Sequence, residues 1–375
     1  MTTSVRWYLY AVLFASTSVI VGVMWDISWH RTIGRDTFWT PAHLAIYLGG
    51  IVAGLSCGWL VLKTTFASTP DERDTSVRFW GFRGPLGAWV CIWGAFAMLT
   101  SGPFDNWWHN AYGLDVEILS PPHTVLAAGI GTIQVGALLL ALASQNRSEG
   151  GAQSRLRLLY VYAAGILVLM SAIMATEYLL RIFLHSSAAY KVACGIFPVL
   201  LVAAARASPL RWPATATALV YTGLTLMMVW ILPLFAAEPR LGPIYQRVTH
   251  MVPPDFPLLL VAPAMAIDWL MQRSPRGRDW LLATGIGVTF FAVFLVVQWF
   301  FADFLMSGPT QNWFFAADNY GYSTSPASFT FRRVFYPHDA TEASLRFGLG
   351  LAALLAIGSA RIGLWWGDWM ARVKR

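Results

Sequence analysis

The sequence predicts an all-α protein, a polytopic integral membrane helical bundle of about ten transmembrane helices. Hydrophobic residues make up 57% of the 375 residues and charged residues only 12%, roughly half the charged share of a soluble domain. Apolar runs of about 20 residues, the length that crosses a bilayer as a helix, recur along the whole chain. The intervals between them leave no room for a large soluble domain.

Ten apolar runs define the predicted spans, and we treat residues 1–375 as a single membrane domain. The first run lacks the small-residue cleavage site of a signal peptide, so we expect it to stay as the first helix. The predicted spans cover residues 7–25, 42–62, 84–102, 122–143, 157–176, 188–205, 214–236, 254–271, 280–300 and 344–364.

The distribution of charge predicts the orientation of these spans. With the N-terminus in the cytoplasm, most of the 26 basic residues fall in cytoplasmic loops, as the positive-inside rule requires. We therefore expect a bacterial inner membrane protein with both termini cytoplasmic and membrane lipid as its surroundings. The basic residues are spread over many short loops, which excludes the compact basic patch of a nucleic-acid partner.

All seven histidines and most of the carboxylates then lie at the periplasmic face. Ionisable groups near membrane depth are costly, so such a layer indicates either pairing among these groups or a bound ion.

A duplicated motif organises part of this layer. The first copy follows the first span and contains, in order, Asp26, His30, Gly34, Asp36, Thr40, Pro41 and His43. The second copy follows the third span and contains Asp105, His109, Gly113, Asp115, Ser120, Pro121 and His123, with one inserted residue. We infer that residues 1–63 and 84–143 form two duplicated helical hairpins.

The spacing within each copy suits a metal site. An Asp and a His four residues apart lie on one face of a helix, and a Pro after a Thr or Ser N-cap places the second His in the opening turn of the next helix. Two imidazoles and one carboxylate suit copper, zinc or non-haem iron. The predicted metal ligands are Asp26, His30, His43, Asp105, His109 and His123.

A structural alternative is that each Asp only pairs with its own His or caps the connecting loop. Asp36 and Asp115, in the loops of the two copies, are either partners that orient an imidazole or loop caps.

The first copy resembles the C subunit of the particulate methane and ammonia monooxygenases, the copper membrane monooxygenases. That family carries an Asp-x3-His-x12-His metal motif, and Asp26, His30 and His43 match its spacing. The resemblance is confined to the stretch from Asp26 to His43. It implies a copper-binding membrane subunit whose ligands face the periplasm.

Two weaker constellations supply further candidate ligands. Glu177, Arg181 and His185 are spaced to share one helix face, which favours a salt bridge at a helix end but leaves His185 as a candidate ligand. Glu238, His250 and Asp255 form either a third ligand set or a capped helix start with Asp255 in its first turn.

Two other features carry expectations of their own. Asp268, alone in the eighth span, serves either ion movement or pairing with a basic loop residue. The aromatic loop at 301–343 should have its own structure, with a short strand at 328–332, and it either caps the outer face, docks a partner or belongs to the interfacial aromatic belt.

These observations predict a membrane metal-binding, oxidoreductase-like subunit, with copper favoured over zinc or iron. The expected activity is that of a copper-dependent monooxygenase subunit acting on small apolar substrates at the periplasmic face. The alternative is a non-catalytic metal-binding, ion- or proton-transport or assembly subunit. Other membrane subunits or further copies of this chain are the expected protein partners.

Overall fold

The computed structural model of the protein describes residues 5–113, 120–148, 153–274 and 277–374. The described part is a bundle of α-helices with a single short β-hairpin, β1 (Val77–Phe79) and β2 (Phe82–Gly84), which confirms the predicted all-α class. The helices are α1 (Trp7–Thr32), α2 (Pro41–Phe66), α3 (Pro70–Asp74), α4 (Leu86–Tyr112), α5 (Pro121–Arg147), α6 (Gln153–Met174), α7 (Thr176–Leu179), α8 (Ser187–Arg206), α9 (Pro213–Ile231), α10 (Val261–Arg273), α11 (Asp279–Leu305), α12 (Phe329–Arg332) and α13 (Glu342–Met370).

Nine helices in the described ranges are long and apolar enough to cross a membrane. They are α1, α2, α4, α5, α6, α8, α9 together with the 3-10 turn that follows it, α11 and α13. Large apolar side chains such as Leu55, Phe300 and Leu354 are exposed on these helices. Such surfaces fit contact with lipid tails, as expected of an integral membrane protein.

The eighth predicted span, 254–271, differs from the prediction. Helix α10 begins only at Val261 and has 13 residues, too few to cross a bilayer alone. The residues before it form no helix, because Pro253, Pro254 and Pro257 cannot donate helix hydrogen bonds and disfavour helical geometry in the residues before them. The predicted eighth span is therefore a short helix with a non-helical lead-in.

Side chains of neighbouring helices satisfy the backbone of this lead-in. The N–H of Leu258 donates to the hydroxyl of Tyr221 on α9 at 2.9 Å, and the N–H of Leu259 donates to Oε1 of Gln298 on α11 at 2.9 Å. Both acceptor residues are buried. Non-helical backbone within a bilayer is tolerated only where the protein itself supplies such partners.

Asp268 of α10 caps the start of α9. Its carboxylate, 1% exposed, accepts hydrogen bonds from the N–H groups of Ala214 and Thr215 at 3.1 and 2.8 Å and from Oγ1 of Thr215 at 2.7 Å. The N-cap residue Trp212 makes no side-chain capping bond, so α10 supplies the cap that α9 lacks. Asp268 thus pairs with backbone N–H groups and with Thr215, where pairing with a basic loop residue was one expectation, and a role in proton or ion movement stays a prediction.

Asp268→Ala should therefore destabilise the protein by about 2–4 kcal/mol, since it leaves buried N–H groups without an acceptor. Asp268→Asn keeps one acceptor oxygen and should lose less. Thermal denaturation of the detergent-solubilised protein measures both. Equal stability of Asp268→Ala and the wild type would contradict the capping role.

The chain divides into two compact units. Unit 1 comprises Met1–Val23, Thr37–Leu167 and Arg372–Arg375, and unit 2 comprises Met24–Asp36 and Val168–Ala371. The interpretation of residues 1–375 as one membrane domain stays a prediction.

In unit 1, α1 and α2 approach each other closely at Gly49. A Cβ on Gly49 would lie 2.6 Å from the carbonyl oxygen of Ala15 and 2.5 Å from a methyl group of Val19. A glycine is therefore needed here because it lets the two backbones meet, as small residues commonly do between membrane helices.

The second hairpin, α4 and α5, makes the same contact at the equivalent repeat positions. A Cβ on Gly129 would lie 2.9 Å from the carbonyl oxygen of Gly94 and 2.6 Å from the backbone nitrogen of Met98. Gly49 and Gly129 each lie six residues after the second histidine of their motif copy. The residues that they contact on the preceding helix lie eleven and seven residues before the first Asp of that copy. The shared packing supports a duplicated hairpin.

The long loop after α11 is folded onto unit 2. Nε1 of Trp230 donates to the carbonyl of Phe314 at 3.0 Å, and the N–H of Tyr336 donates to the carbonyl of Ile182 at 3.0 Å. The predicted strand at 328–332 is wrong, because Oγ of Ser328 accepts the N–H of Phe331 and starts the single helical turn α12.

Candidate metal sites

The second copy of the motif assembles a carboxylate and two imidazoles within unit 1. Asp105 and His109 lie one turn apart near the end of α4, and His123 is the third residue of α5. Nε2 of His109 lies 3.3 Å from Oδ2 of Asp105, and Nε2 of His123 lies 3.4 Å from Oδ1. All three side chains are partly exposed, so an ion can reach them.

The backbone fixes the proton on the His109 ring. Nδ1 of His109 lies 3.2 Å from the carbonyl oxygen of Gly113, and a carbonyl only accepts, so Nδ1 must donate. Nε2 of a neutral His109 then presents a lone pair to the carboxylate of Asp105. Two electron-rich atoms face each other stably only when a cation, either a proton on Nε2 or a metal ion, lies between them.

The separations in this group are longer than those of a direct hydrogen bond. A charge-assisted N–H···O bond is about 2.7–2.9 Å long. The distances of 3.3 and 3.4 Å run from His109 and His123 to different oxygens of Asp105. Among the described residues, the ligand atoms that all lie within 4.8 Å of one another are those of the first copy.

The loop of the second copy begins at Gly113, whose φ of 92° is a left-handed conformation that favours glycine. Its N–H donates to the carbonyl of His109 at 3.0 Å, which ends α4. Asp115, predicted to orient an imidazole or cap the loop, lies outside the described residues.

The first copy groups three candidate ligands within unit 2. Nε2 of His30 lies 3.8 Å from Oδ2 of Asp26, one turn earlier on α1, and 3.6 Å from Oδ2 of Asp36 in the following loop. One ligand atom from each residue lies within 4.8 Å of the other two. Asp36, predicted as an orienting partner or loop cap, is therefore as close to His30 as the predicted ligand Asp26.

A tight turn returns Asp36 to α1. Gly34 ends the helix with a φ of 83°, and its N–H bonds to the carbonyl of Trp29 at 3.2 Å. Nε1 of Trp29 then donates to the carbonyl of Arg35 at 3.0 Å. The motif glycine thus has a positive φ in both copies.

His43 lies in unit 1, in the first turn of α2. Its Nδ1 lies 2.9 Å from the carbonyl oxygen of Thr37 and so donates to it, which leaves Nε2 as the metal-binding atom of the neutral ring. Because Asp26 and His30 belong to unit 2, the ligand set Asp26, His30 and His43 stays a prediction.

The second helix of each hairpin begins at the predicted proline, but the predicted N-cap hydrogen bond is not made. Pro41 and Pro121 are the first residues of α2 and α5, after Thr40 and Ser120. Neither hydroxyl makes the capping bond. Oγ1 of Thr40 instead accepts the N–H of Thr37 and closes the loop of the first copy.

The predicted helix face of Glu177, Arg181 and His185 does not form. Helix α7 ends at Leu179, Leu180 is extended with a ψ of 145°, and Arg181 opens a 3-10 turn. The prediction of a salt-bridged stripe is wrong because this break removes the spacing of 3.6 residues per turn.

His185 occupies an aromatic sandwich in unit 2. Its ring stacks on Trp299 and Phe335, with centroids 4.0 and 3.7 Å away. Nε2 lies 3.2 Å from the carbonyl oxygen of Trp299 and 3.4 Å from Oδ1 of Asp303, so it carries the proton. Burial lowers the pKa of His185 below its ordinary value, although the Trp299 carbonyl and Asp303 favour the charged form.

Acidification should therefore destabilise the protein through His185. Its pKa in the unfolded chain is the ordinary value of about 6.5, so below that pH the unfolded state binds the proton more readily than the folded state. Stability should fall as the pH drops from 7 through 6.5 towards the lower folded-state pKa. His185→Gln should flatten this slope relative to the wild type, in denaturation series of metal-free protein. Parallel slopes in the two proteins would contradict the assignment.

The region of Glu238, His250 and Asp255 forms a local pairing. Ala236 and His250 form an antiparallel β-bridge, and both Glu238 and His250 are exposed. The expectation that Asp255 begins a helix is wrong, because it lies in the proline-rich lead-in, with Oδ1 3.9 Å from Nη2 of Arg31. Whether these residues bind a metal stays a prediction.

Comparisons with protein-family models, with curated proteins and with solved structures found no match for this chain. The resemblance of the first motif copy to the copper monooxygenase subunit therefore stays a prediction.

Proposed function

We propose that this chain is a membrane metal-binding protein that uses both motif copies. The observation that carries the proposal is the group in the first copy, where one ligand atom from each of Asp26, His30 and Asp36 lies within 4.8 Å of the other two. In the second copy, Nδ1 of His109 is committed to the carbonyl of Gly113, so the contact between its Nε2 and Asp105 requires a cation, either a proton or a metal ion.

The two sites differ in their ligands. Asp26, His30 and Asp36 supply one imidazole and two carboxylates, and His43 is the further predicted ligand. Asp105, His109 and His123 supply two imidazoles and one carboxylate. The separations of 3.6–3.8 Å in the first copy exceed the spacing of about 3.3–3.4 Å around a tetrahedral ion, so this group must contract to bind a small ion.

The finer proposal is a copper-dependent, oxidoreductase-like subunit in a bacterial inner membrane, with cytoplasmic termini and both sites at the periplasmic face. Copper at either site would supply oxygen activation for small apolar substrates that enter from the bilayer. The resemblance of the first copy favours copper, while the ligand types also accept zinc or iron. The chain's own contribution is to hold the imidazoles in the tautomer that exposes Nε2, through the carbonyls of Gly113 and Thr37.

Transport of an ion is the less favoured alternative. A transport path needs ionisable groups deep in the bundle, and the carboxylate considered for that role, Asp268, is engaged in capping α9. A non-catalytic metal-binding or assembly subunit, acting with other membrane subunits or with further copies of this chain, remains the second candidate. It uses the same ligands without oxygen chemistry.

Equilibrium dialysis of the metal-stripped, detergent-solubilised protein against copper, zinc and ferrous iron tests the proposal. We expect retention of copper, with a copper spectrum typical of nitrogen and oxygen ligands. Retention of zinc alone would support the non-catalytic subunit and overturn the oxidoreductase proposal. Failure to retain any of the three metals would overturn the metal-binding function itself.

A further inference from the structure

Unit 2 contains a cavity of about 360 Å³ that the metal sites do not use. Its wall is formed by the end of α1, the end of α6, the segment at 176–182, α9 and the non-helical lead-in to α10. Its volume is within the range of small-molecule binding sites.

Most of the cavity wall is apolar. Met24 and Ile27 of α1, Leu169 and Ile173 of α6, and Leu258 of the lead-in contribute to this wall. Four threonines also line the cavity. Two of them, Thr176 and Thr225, add little polarity because their hydroxyls donate to carbonyls one turn earlier on the chain. An occupant must therefore be largely apolar.

Arg181 places a buried positive charge in this wall. The residue is only 7% exposed, and within the described ranges no acceptor lies within hydrogen-bond distance of its buried Nη2. Its guanidinium lies 5.8 Å from the ring of Tyr320, a contact that offers no acceptor oxygen. A guanidinium has five N–H donors and is always charged, so a buried one is ordinarily paired.

A second guanidinium, that of Arg31, lines the same cavity. Its Nη1 donates to the carbonyl of Pro253 at 2.9 Å, and its Nη2 lies 3.9 Å from Oδ1 of Asp255, beyond hydrogen-bond distance. Two arginines and a single carboxylate thus line the cavity and leave one positive charge uncompensated.

We infer that this cavity binds an amphiphilic monoanion, in which an oxyanion headgroup pairs with Arg181 and a short hydrocarbon chain packs against Ile27, Leu169 and Ile173. A carboxylate or a phosphate diester carries the required single negative charge. A planar guanidinium recognises either through paired N–H···O bonds. The inference does not depend on metal binding.

Octanoate, a soluble carboxylate with a short chain, is the probe. Binding to the full-length, metal-free protein in detergent is measured by calorimetry and by the shift in Tm. We expect one octanoate per chain and a raised Tm. The neutral isostere octanamide should bind at least tenfold more weakly. Inorganic phosphate should also bind at least tenfold more weakly than octanoate. If phosphate binds as tightly as octanoate, the cavity is a simple anion site and the inference of an amphiphilic ligand is overturned.

Arg181→Gln tests the headgroup contact, with exposed Arg332→Gln as the control in the same unit. Arg181→Gln should weaken octanoate binding at least tenfold, and Arg332→Gln should leave it unchanged. Without ligand, Arg181→Gln should be at least as stable as the wild type, because it removes an uncompensated buried charge. A lower Tm combined with unchanged octanoate affinity would mean a purely structural arginine and overturn the inference.

Ile173→Trp tests the cavity independently of charge. The larger side chain should fill the space beside Arg181 and abolish octanoate binding while both arginines remain. If Arg181→Gln fails to fold, Ile173→Trp tests the inference by itself. Octanoate affinity of Ile173→Trp equal to that of the wild type would overturn the inference.

Discussion

Asp105→Ala is expected to remove the metal from unit 1 and to lower its affinity by about 100-fold or more, since even residues that only orient a metal ligand alter affinity 10–100-fold. Among the described residues, Asp105 is the carboxylate that lies near both His109 and His123, at 3.3 and 3.4 Å. Its loss removes a negative charge that attracts the ion. Metal content per chain, measured by elemental analysis after dialysis, reports the result.

Two further variants sharpen this experiment. Asp105→Asn keeps the size of the side chain but removes its charge, so it should lose metal nearly as completely as Asp105→Ala. Asp318→Asn, an exposed carboxylate in the long loop, is the matched control and should keep the wild-type content. If a proton rather than a metal holds Asp105 and His109 together, added metal will not raise the Tm of the wild type, and the proposal fails.

Gly129→Ala should destabilise the protein, and Gly131→Ala, two residues further along α5, should not. A methyl group on Gly129 would lie 2.6 Å from the backbone nitrogen of Met98, so α4 and α5 must separate, at a cost of about 1–3 kcal/mol. A methyl group on Gly131 meets nothing within 4 Å, and replacing a helical glycine by alanine gains roughly 0.5–1 kcal/mol. The two changes in Tm should therefore have opposite signs.

The duplicated hairpin extends this expectation to the first copy. Gly49→Ala would place a methyl group 2.6 Å from the carbonyl oxygen of Ala15 and should destabilise the protein as Gly129→Ala does. A neutral or stabilising effect of both substitutions would mean that the close helix contacts do not hold the hairpins together.

The helices could be predicted well because a bilayer imposes one length on every span. The eighth span shows the limit of this argument. Its hydropathy suggested a full helix, but Pro253 and Pro257 postpone the helix to Val261. The prolines were visible in the sequence. Tyr221 and Gln298 accept the backbone N–H groups of the non-helical lead-in. They lie on helices distant in the sequence, so they could not be predicted from the local pattern.

The group at Asp105 could be predicted because its geometry is local. A spacing of four residues and a proline at the next helix start are enough to bring Asp105, His109 and His123 together. The place of Asp36 beside His30 could not be predicted, because it depends on the left-handed turn at Gly34 and on how the loop then returns to α1.

The charged cavity was missed for a different reason. The spacing of Glu177, Arg181 and His185 indicated a regular helix, and only the break at Leu180 separates Arg181 from that face. The cavity wall also combines segments that are far apart in the sequence. A signal remained in the sequence, however, since an arginine within an apolar stretch needs a partner or an anion.

The non-helical lead-in to α10 bears on how this protein is assembled. A regular membrane helix satisfies its own backbone and enters the bilayer independently, but the N–H groups of Leu258 and Leu259 depend on side chains of α9 and α11. We therefore expect the lead-in to be buried stably only after both α9 and α11 have been synthesised. Truncation of the nascent chain before α11 should leave α10 outside the bilayer and accessible to water-soluble labels.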